Sequence, residues 1–387
     1  MTTPIYLDNS ATTALCPAAR EALLQAADQF GNPSSLHAAG RQAAALLEKA
    51  RTDVARALGV RHLSAGELIF TSCGSEADTM AILGVAHAKV RRSQSKIVTT
   101  DSEHPAVEKL MEQLQGEGFE IVRISTRGGA LDMEQLNAAL DDKVLLVSMM
   151  LVNNETGALY DLKTAFAMAR ARNPQVVTHT DAVQAFLKHR FTPASLGADL
   201  ISLSAHKVHA PKGVGALYIN PTLLKTKRIV PWLLGGGQES GLRSGTENTL
   251  GIAAFGAAVA AQQERLEQSI ATMRELREYT AERLGTLGIA VKQPPVCAPH
   301  VINLTLPNIN SETMLHFLDS RGICVSSGSA CSSSARNLSR ALLSFGCSER
   351  EVDCSLRVSL CATNTKEDID ALIAALDEGI KSLIRMK

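Results

Sequence analysis

The chain has 387 residues, enough for about two or three domains with a sizeable core, and its 39 lysines and arginines balance 39 aspartates and glutamates. A neutral chain has no global attraction for nucleic acid or an anionic membrane, and 4 % aromatic residues are too few for a base-stacking platform. With 45 % hydrophobic and 20 % charged residues, the composition is that of a globular protein rather than a disordered one.

In chain order, the opening Met1-Thr-Thr-Pro-Ile-Tyr-Leu-Asp-Asn-Ser10 has neither a basic nor an apolar signal region, so a cytoplasmic chain is expected. Short β-branched runs then alternate with helical stretches. Strands are predicted over 67–71, 96–100, 119–124, 144–151, 176–179, 200–203 and 215–219. Helices are predicted over 76–90, 105–115, 133–140 and 162–172. This alternation predicts an α/β domain with a mostly parallel sheet covered by helices on both faces. The texture changes after Gly251. One long helix, straight or kinked, is expected over 252–284, followed by strands at 301–306, 323–325 and 356–360 and helices at 312–320 and 366–384. These read as a smaller α+β domain packed with the N-terminus. The expected division is a large domain at 15–258 and a small one at 1–14 with 259–387. The longest apolar stretches, 144–152 and 251–261, fall short of the ~18 residues a membrane span needs.

Cysteines stand at 16, 73, 297, 324, 331, 347, 354 and 361, with no C-x-x-C pair, which argues against a zinc ribbon or a thioredoxin motif. Reduced thiols are expected in a cytosolic chain. Cys331 is the exception in setting: it lies in Ser326-Ser-Gly-Ser-Ala-Cys-Ser-Ser-Ser334, which cannot bury a thiol well and predicts an accessible one.

In an open α/β sheet, ligands sit beyond the carboxyl ends of the strands, so residues just after each strand are the candidates. Thr71-Ser-Cys-Gly-Ser-Glu-Ala-Asp78 places Ser75 and Asp78 in an S-x-x-D capping box. The same helix start is either a plain cap or a phosphate site. His104 precedes Pro105 at the next helix entry. Asn153-Asn-Glu-Thr-Gly157 either satisfies itself in a turn or points into a cleft. Asp181 and Gln184 share a helical face, or Asp181 is an N-cap; alternatively its carboxylate holds a protonated heterocyclic nitrogen. Lys207 is a solvated loop lysine or a Schiff-base former at a crowded strand end. Lys212, in a Pro-Lys-Gly turn, suits the solvated role. Arg357 lies in an apolar strand, where it serves a salt bridge or grips a carboxylate. Acid, lysine, histidine and phosphate cradle at one edge suit pyridoxal 5′-phosphate better than a nicotinamide, whose Gly-x-Gly-x-x-Gly turn is absent.

The ordered motifs resemble the cysteine desulfurases of the NifS/IscS kind, within the class V aminotransferase-like enzymes. They are Tyr6-Leu-Asp-Asn-Ser-Ala-Thr-Thr13, Phe30-Gly-Asn-Pro-Ser-Ser-Leu-His37, Phe70-Thr-Ser-Cys-Gly-Ser-Glu76, Glu103-His-Pro-Ala-Val107, Val152-Asn-Asn-Glu-Thr-Gly157, His179-Thr-Asp-Ala-Val-Gln184, Ser204-Ala-His-Lys207, Arg243-Ser-Gly-Thr246 and Ser326-Ser-Gly-Ser-Ala-Cys331. The last resembles the longer-loop group I branch. The resemblance implies a PLP-dependent transferase type I fold. It makes Lys207 the Schiff-base lysine, Asp181 the partner of the pyridine nitrogen, Gln184 the contact to the ring hydroxyl and His104 the imidazole stacked on the ring. Gly74, Ser75, Ser204 and His206 become the phosphate cradle, with Thr246 reaching the neighbouring subunit's phosphate. Asn154 is implied on the ring and substrate side, and Arg357 at the substrate carboxylate. Cys331 becomes the nucleophile that takes sulfur from L-cysteine as a persulfide, releasing L-alanine and passing sulfur to an iron–sulfur scaffold or another acceptor. A homodimer is implied, with no nucleic acid or membrane partner and no resident metal, Cys331 being at most a transient cluster ligand.

Some positions depart from the family pattern. Ser75 replaces a usual Thr and Cys73 a frequent Gly. Ala335-Arg-Asn-Leu-Ser339 stands for a Leu-Glu-Pro-Ser-like stretch, and Leu360-Cys-Ala-Thr363 for Gly-Arg-Tyr/Phe-Thr. A competing expectation is a non-catalytic sulfur- or metal-handling protein using His206, His209 and the surplus cysteines.

Overall fold

The computed structural model describes residues 4–88, 95–327 and 338–384, and it starts with a short strand, β1 (Ile5–Tyr6). The alternating region then builds one seven-stranded sheet from β2 (Leu68–Thr71), β3 (Lys96–Thr100), β4 (Glu120–Ile124), β5 (Val144–Ser148), β6 (Val177–Asp181), β7 (Leu200–Ser204) and β8 (Gly215–Ile219). Their order is β2-β8-β7-β6-β5-β3-β4. The five strands from β3 to β7 pair in parallel, and β8 runs antiparallel to both its neighbours. The sheet is thus mostly parallel, as predicted.

Side-chain alternation explains how such apolar strands are used. Ile69, Ile97, Leu146, Val177 and Leu200 face one core, completed by Ala81, Leu83, Leu110 and Met111 of the Gly74–Ala86 and Pro105–Gly116 helices. Phe70, Val98, Val147 and Ile201 face the other, completed by Leu47, Val54, Phe166 and Phe255 of the Ala38–Ala57, Leu162–Arg172 and Thr249–Gln263 helices. The long helices Pro17–Ala27 and Ala38–Ala57 and the short ones Pro193–Leu196, Pro221–Lys225, Arg340–Phe345 and Glu349–Asp353 fall outside the elements predicted above.

The long helix expected over 252–284, straight or kinked, is two helices, Thr249–Gln263 and Leu266–Thr286, separated at Glu264 and Arg265. The second helix carries the chain from one core to the next. Phe255, Val259 and, beyond the break, Leu266 and Ile270 pack in the sheet's core, whereas Leu276 and Leu284, further along the second helix, belong to a third core. That third core fills the second unit. Its strands are β9 (Ala290–Val291), β10 (Val301–Thr305), β11 (Ile323–Cys324), β12 (Ser326–Ser327) and β13 (Ser355–Ser359). An antiparallel sheet runs β12-β13-β10-β9, and β1 pairs in parallel with β11. The strand expected over 323–325 is therefore divided, because β1 claims its first part and β13 the residues after Val325. The N-terminal segment is stitched into this unit: Leu7 N donates to Cys324 O at 2.9 Å and Asn9 N to Ser359 O at 3.2 Å.

Candidate active site

The carboxyl ends of β2, β3, β6 and β7 bring the predicted residues to one edge. Beyond β7, a tight turn over Ala205–Lys207 carries the lysine. Lys207 Nζ donates to the carbonyls of Ser10 at 2.5 Å and Ala11 at 2.7 Å. Thr13 N donates to His206 O at 2.9 Å, and His206 Nδ1 lies 3.1 Å from Thr12 Oγ1. Gln184 Nε2 donates to the same Ser10 carbonyl at 2.9 Å. The Ser10–Thr13 backbone therefore ties the lysine turn to Gln184.

Asp181 is the last residue of β6, and no helix follows it; its Oδ1 accepts from Val183 N at 2.9 Å in a turn. The expected shared helical face with Gln184 does not form, because the strand extends two residues further than predicted. Burial raises the Asp181 carboxyl above its ordinary range, while His104 and Lys207 pull it back. His104 caps the Pro105–Gly116 helix, its Nδ1 accepting from Ala106 N at 3.1 Å. Its ring keeps some exposure, yet the crowded cleft favours the neutral form. With Nδ1 accepting, that neutral ring carries its hydrogen on Nε2, a tautomer assigned from the hydrogen bond.

The capping box expected from Ser75 and Asp78 is not formed. The helix starts at Gly74 with Cys73 as N-cap, and Cys73 makes no side-chain hydrogen bond to it. Ser75 lies inside the first turn and is exposed, whereas Asp78 is 1 % exposed and faces the sheet. Packing of the helix on β5 to β8 overrides the local capping pattern. The first amides of the helix are thus left for an anion. A Cβ on Gly74 would lie 2.9 Å from Val183 Cγ2 and 3.3 Å from Ser204 Cβ, so glycine keeps this corner open beside Ser204. Glu76 accepts from Ser72 N at 2.6 Å and pairs with Arg243 at 2.8 Å, which fastens the loop carrying exposed Thr246 near the helix start.

On β13, Arg357 Nη2 pairs with Asp8 at 2.8 Å and Nη1 donates to Asn154 O at 3.1 Å; its Nε is buried without a partner. The structure thus shows a salt bridge and still leaves a donor over. Asn154 touches Arg357 through its carbonyl, and Asn153 builds the turn, its Oδ1 accepting from Glu155 N at 3.0 Å and Thr156 N at 2.9 Å. Lys212 is exposed. Cys331 and most of the Ser/Gly patch lie outside the described residues. Among the described residues, no three His, Cys, Asp or Glu side chains gather as a metal site.

Sequence reasoning passed over three buried groups beneath this edge. Burial pushes Glu103 up to about 8, its carboxylate accepting from Thr100 Oγ1 at 2.6 Å and Met150 N at 2.9 Å. Lys188, buried near Lys207, is pushed down to about 7. His179 is pushed down to about 3. The available signal was a charged or polar residue inside an apolar run, as in Val176-Val-Thr-His179.

The residues fit pyridoxal 5′-phosphate on structural grounds. An uncapped helix start with a corner that only glycine leaves open suits a phosphate. A buried carboxyl facing His104 and Lys207 suits a ring nitrogen, and a primary amine stands beside it.

Comparison with known proteins agrees with this geometry. The family described as Aminotransferase class-V matches residues 5–372. Cysteine desulfurase 1 of Trichormus variabilis is 36 % identical over 390 residues, covering 98 % of this chain and 93 % of that protein. Cysteine desulfurase NifS of Azotobacter vinelandii is 37 % identical over 377 residues, covering 95 % and 90 %. Among solved structures, a NifS-like protein superposes with a TM-score of 0.90 at 33 % identity, covering 98 % of this chain and 100 % of that one. A NifS-like protein from Rickettsia africae superposes at 0.86 with 31 % identity, covering 98 % and 100 %. With its parallel sheet, its lysine turn and these full-length matches, the chain belongs to the class-V aminotransferase family and, within it, to the NifS/IscS-type cysteine desulfurases.

Proposed function

We propose that the protein is a pyridoxal-phosphate-dependent cysteine desulfurase, which converts L-cysteine to L-alanine and transfers the sulfur to Cys331. The observation that carries this reading is the meeting of Asp181, His104 and Lys207 beside the uncapped helix start at Gly74. Residues 15–258 form the cofactor-binding domain in this reading. Residues 1–14 and 259–387 form the small domain that brings Cys331.

When bound, pyridoxal 5′-phosphate supplies a carbonyl that condenses with primary amines and a ring that draws electrons from the substrate α-carbon. The chain's residues do the rest. Gly74, Ser75, Ser204 and His206 hold the phosphate, with Thr246 of a second subunit. Asp181 holds the ring nitrogen, Gln184 the ring hydroxyl, and neutral His104 presents its Nε2 hydrogen. Lys207 is the covalent anchor and, once released, takes and returns protons at Nζ; the carbonyls of Ser10 and Ala11 hold that ammonium when it is charged. Arg357, already oriented by Asp8 and the Asn154 carbonyl, binds the substrate carboxylate with Asn154 alongside. The Cys331 thiolate then attacks the substrate sulfur. A sulfur–sulfur bond forms as the substrate's carbon–sulfur bond breaks, and the carbon skeleton takes up protons to leave as alanine. No outside oxidant is needed. The persulfide passes to an iron–sulfur scaffold or another sulfur-acceptor protein, in the cytoplasm.

A homodimer is supported by large apolar side chains left exposed, Phe30 at 90 %, Leu36 at 91 % and Leu234 at 79 %. No helix among the described residues is long and apolar enough to cross a membrane.

The test is alanine release from L-cysteine with excess reductant, wild type beside Cys331→Ala. Wild type is expected to release alanine, while Cys331→Ala retains the bound-cofactor absorbance and forms no persulfide. Unimpaired sulfur transfer by Cys331→Ala would remove the nucleophile assignment. No alanine from a protein that holds the cofactor would redirect the search to L-selenocysteine and other amino acids.

A further inference from the structure

One face of the central sheet carries a polar row inside an apolar surface. Ser148 on β5, His179 and Asp181 on β6, and Ser202 on β7 lie side by side, because the register pairs Ser148 with His179 and Asp181 with Ser202. His179 is fully buried, with Nδ1 2.8 Å from Ser148 Oγ and Nε2 3.0 Å from Ser202 Oγ. The Gly74–Ala86 helix covers this row and sets Asp78 on it, Oδ1 lying 3.6 Å from His179 Nε2. That oxygen is buried and has no hydrogen-bond partner. The groups facing Asp78 are Asp181 and His179 from β6, Ser202 from β7, Glu103 from the turn after β3, and Cys73 from the start of its own helix. Among the described residues no lysine or arginine pairs with it.

An anion in this position would be buried without a counter-charge, which costs far more than burying the neutral acid. His179 supplies no counter-charge, since both its nitrogens face serine hydroxyls and burial keeps the ring neutral. A charged Asp78 would also confront Asp181. Burial first, and the Asp181 charge second, hold the Asp78 carboxyl well above the ordinary carboxylate range.

We propose that Asp78 is a positioning residue of the cofactor site, held as a neutral acid against Ser202 and His179 so that Asp181 is the anionic carboxyl left for the ring nitrogen. The inference rests on the pyridoxal-phosphate reading. Two neighbouring carboxyls lose their protons as a pair, so ionising Asp78 would drive Asp181 toward its protonated form and weaken its hold on the ring.

The sign of the pH effect follows. Below the ordinary carboxylate range, Asp78 is protonated in both the folded and unfolded chain. As pH rises, the unfolded chain loses this proton first, so stability falls from there up to the raised folded value. Asp78→Asn keeps the shape of the neutral acid and cannot ionise, so it removes that slope.

The experiment is urea unfolding of the full chain across pH, with and without added pyridoxal 5′-phosphate, for wild type and Asp78→Asn, together with cofactor affinity by absorbance titration. The variant is expected to bind cofactor within about twofold of wild type at neutral pH, as a neutral-for-neutral exchange should. Its stability advantage, and its relative cofactor affinity, should grow as pH rises. A change of affinity of about tenfold at neutral pH overturns the proposal in either direction, a gain because removing an anion at Asp78 would free Asp181 to ionise and a loss because the exchange would then not be neutral for neutral; a stability difference independent of pH overturns it too. If neither protein takes up the cofactor, the pyridoxal-phosphate reading fails and the positioning role with it, while the cofactor-free unfolding still decides the protonation of Asp78. Should Asp78→Asn not fold, a carbon-13 NMR titration of the aspartate carboxyls in wild type reads the same state; a proton on Asp78 at neutral pH supports the proposal and an ionised Asp78 overturns it.

Discussion

Arg357 sits inside an apolar strand, and its three nitrogens have three different surroundings. One pairs with Asp8, one donates to the Asn154 carbonyl, and Nε is buried without a partner. Asp8 and Asn154 fix the plane of the guanidinium, so in the proposed function little side-chain freedom would be lost on binding a substrate carboxylate. A lysine has a single ammonium and cannot span Asp8 and Asn154 while also meeting a carboxylate. Arg357→Lys is therefore expected to raise KM for L-cysteine by about tenfold with the bound-cofactor absorbance unchanged. Steady-state kinetics beside an absorbance spectrum check this. A fall in kcat at unchanged KM would place the arginine's role in chemistry rather than in binding.

The Gly74–Ala86 helix shows what an element adds to its residues. Its start leaves amides uncapped, and Gly74 keeps a side chain out of the corner between Val183 and Ser204. Gly74→Ala would place a Cβ 2.9 Å from Val183 Cγ2. Cofactor affinity is expected to fall by about tenfold while the circular dichroism spectrum stays that of wild type, since Ala itself favours a helix. Loss of helical signal would instead make the glycine structural. The same helix marks the limit of sequence reading. The strand at 215–219 and the helix at 162–172 are legible to the residue, because each has one burial pattern and clear ends. Lys207, Asp181 and His104 are legible as a set because strand ends converge in such a sheet. The capping box at Ser75 and Asp78 fails because its four-residue pattern carries no information on which side the sheet lies. The joint at Glu264 and Arg265 is hidden because no Gly or Pro marks it, and the change of core comes later, between Ile270 and Leu276.

At the scale of the molecule, distant segments are locked by contacts that no local pattern announces. Arg51 forms a two-pronged ion pair with Glu239, both arms at 2.8 Å, and Glu239 also accepts from Phe70 N at 2.7 Å. The pair joins the Ala38–Ala57 helix, the edge strand β2 and the loop that leads to Thr246. Glu239→Gln removes the two-pronged charge partner of a largely buried guanidinium and leaves it Glu48 at 3.1 Å and the Leu68 carbonyl, so it is expected to destabilise the protein by about 2 kcal/mol, read by urea unfolding. A cost below about 1 kcal/mol would mean that solvent reaches the pair. The ribbon from Leu7 to Thr13 has a different consequence. Its first half is hydrogen-bonded to β11 and β13, and its second half holds Lys207 and His206. Asp8 and Arg357 are 349 residues apart. On the ribosome, the ribbon emerges long before the strand that anchors it. A nascent chain can pair all seven strands of the large sheet while the lysine turn still lacks a fixed neighbour, so competence to take up cofactor should arrive late in synthesis, only after residue 359 has cleared the exit tunnel.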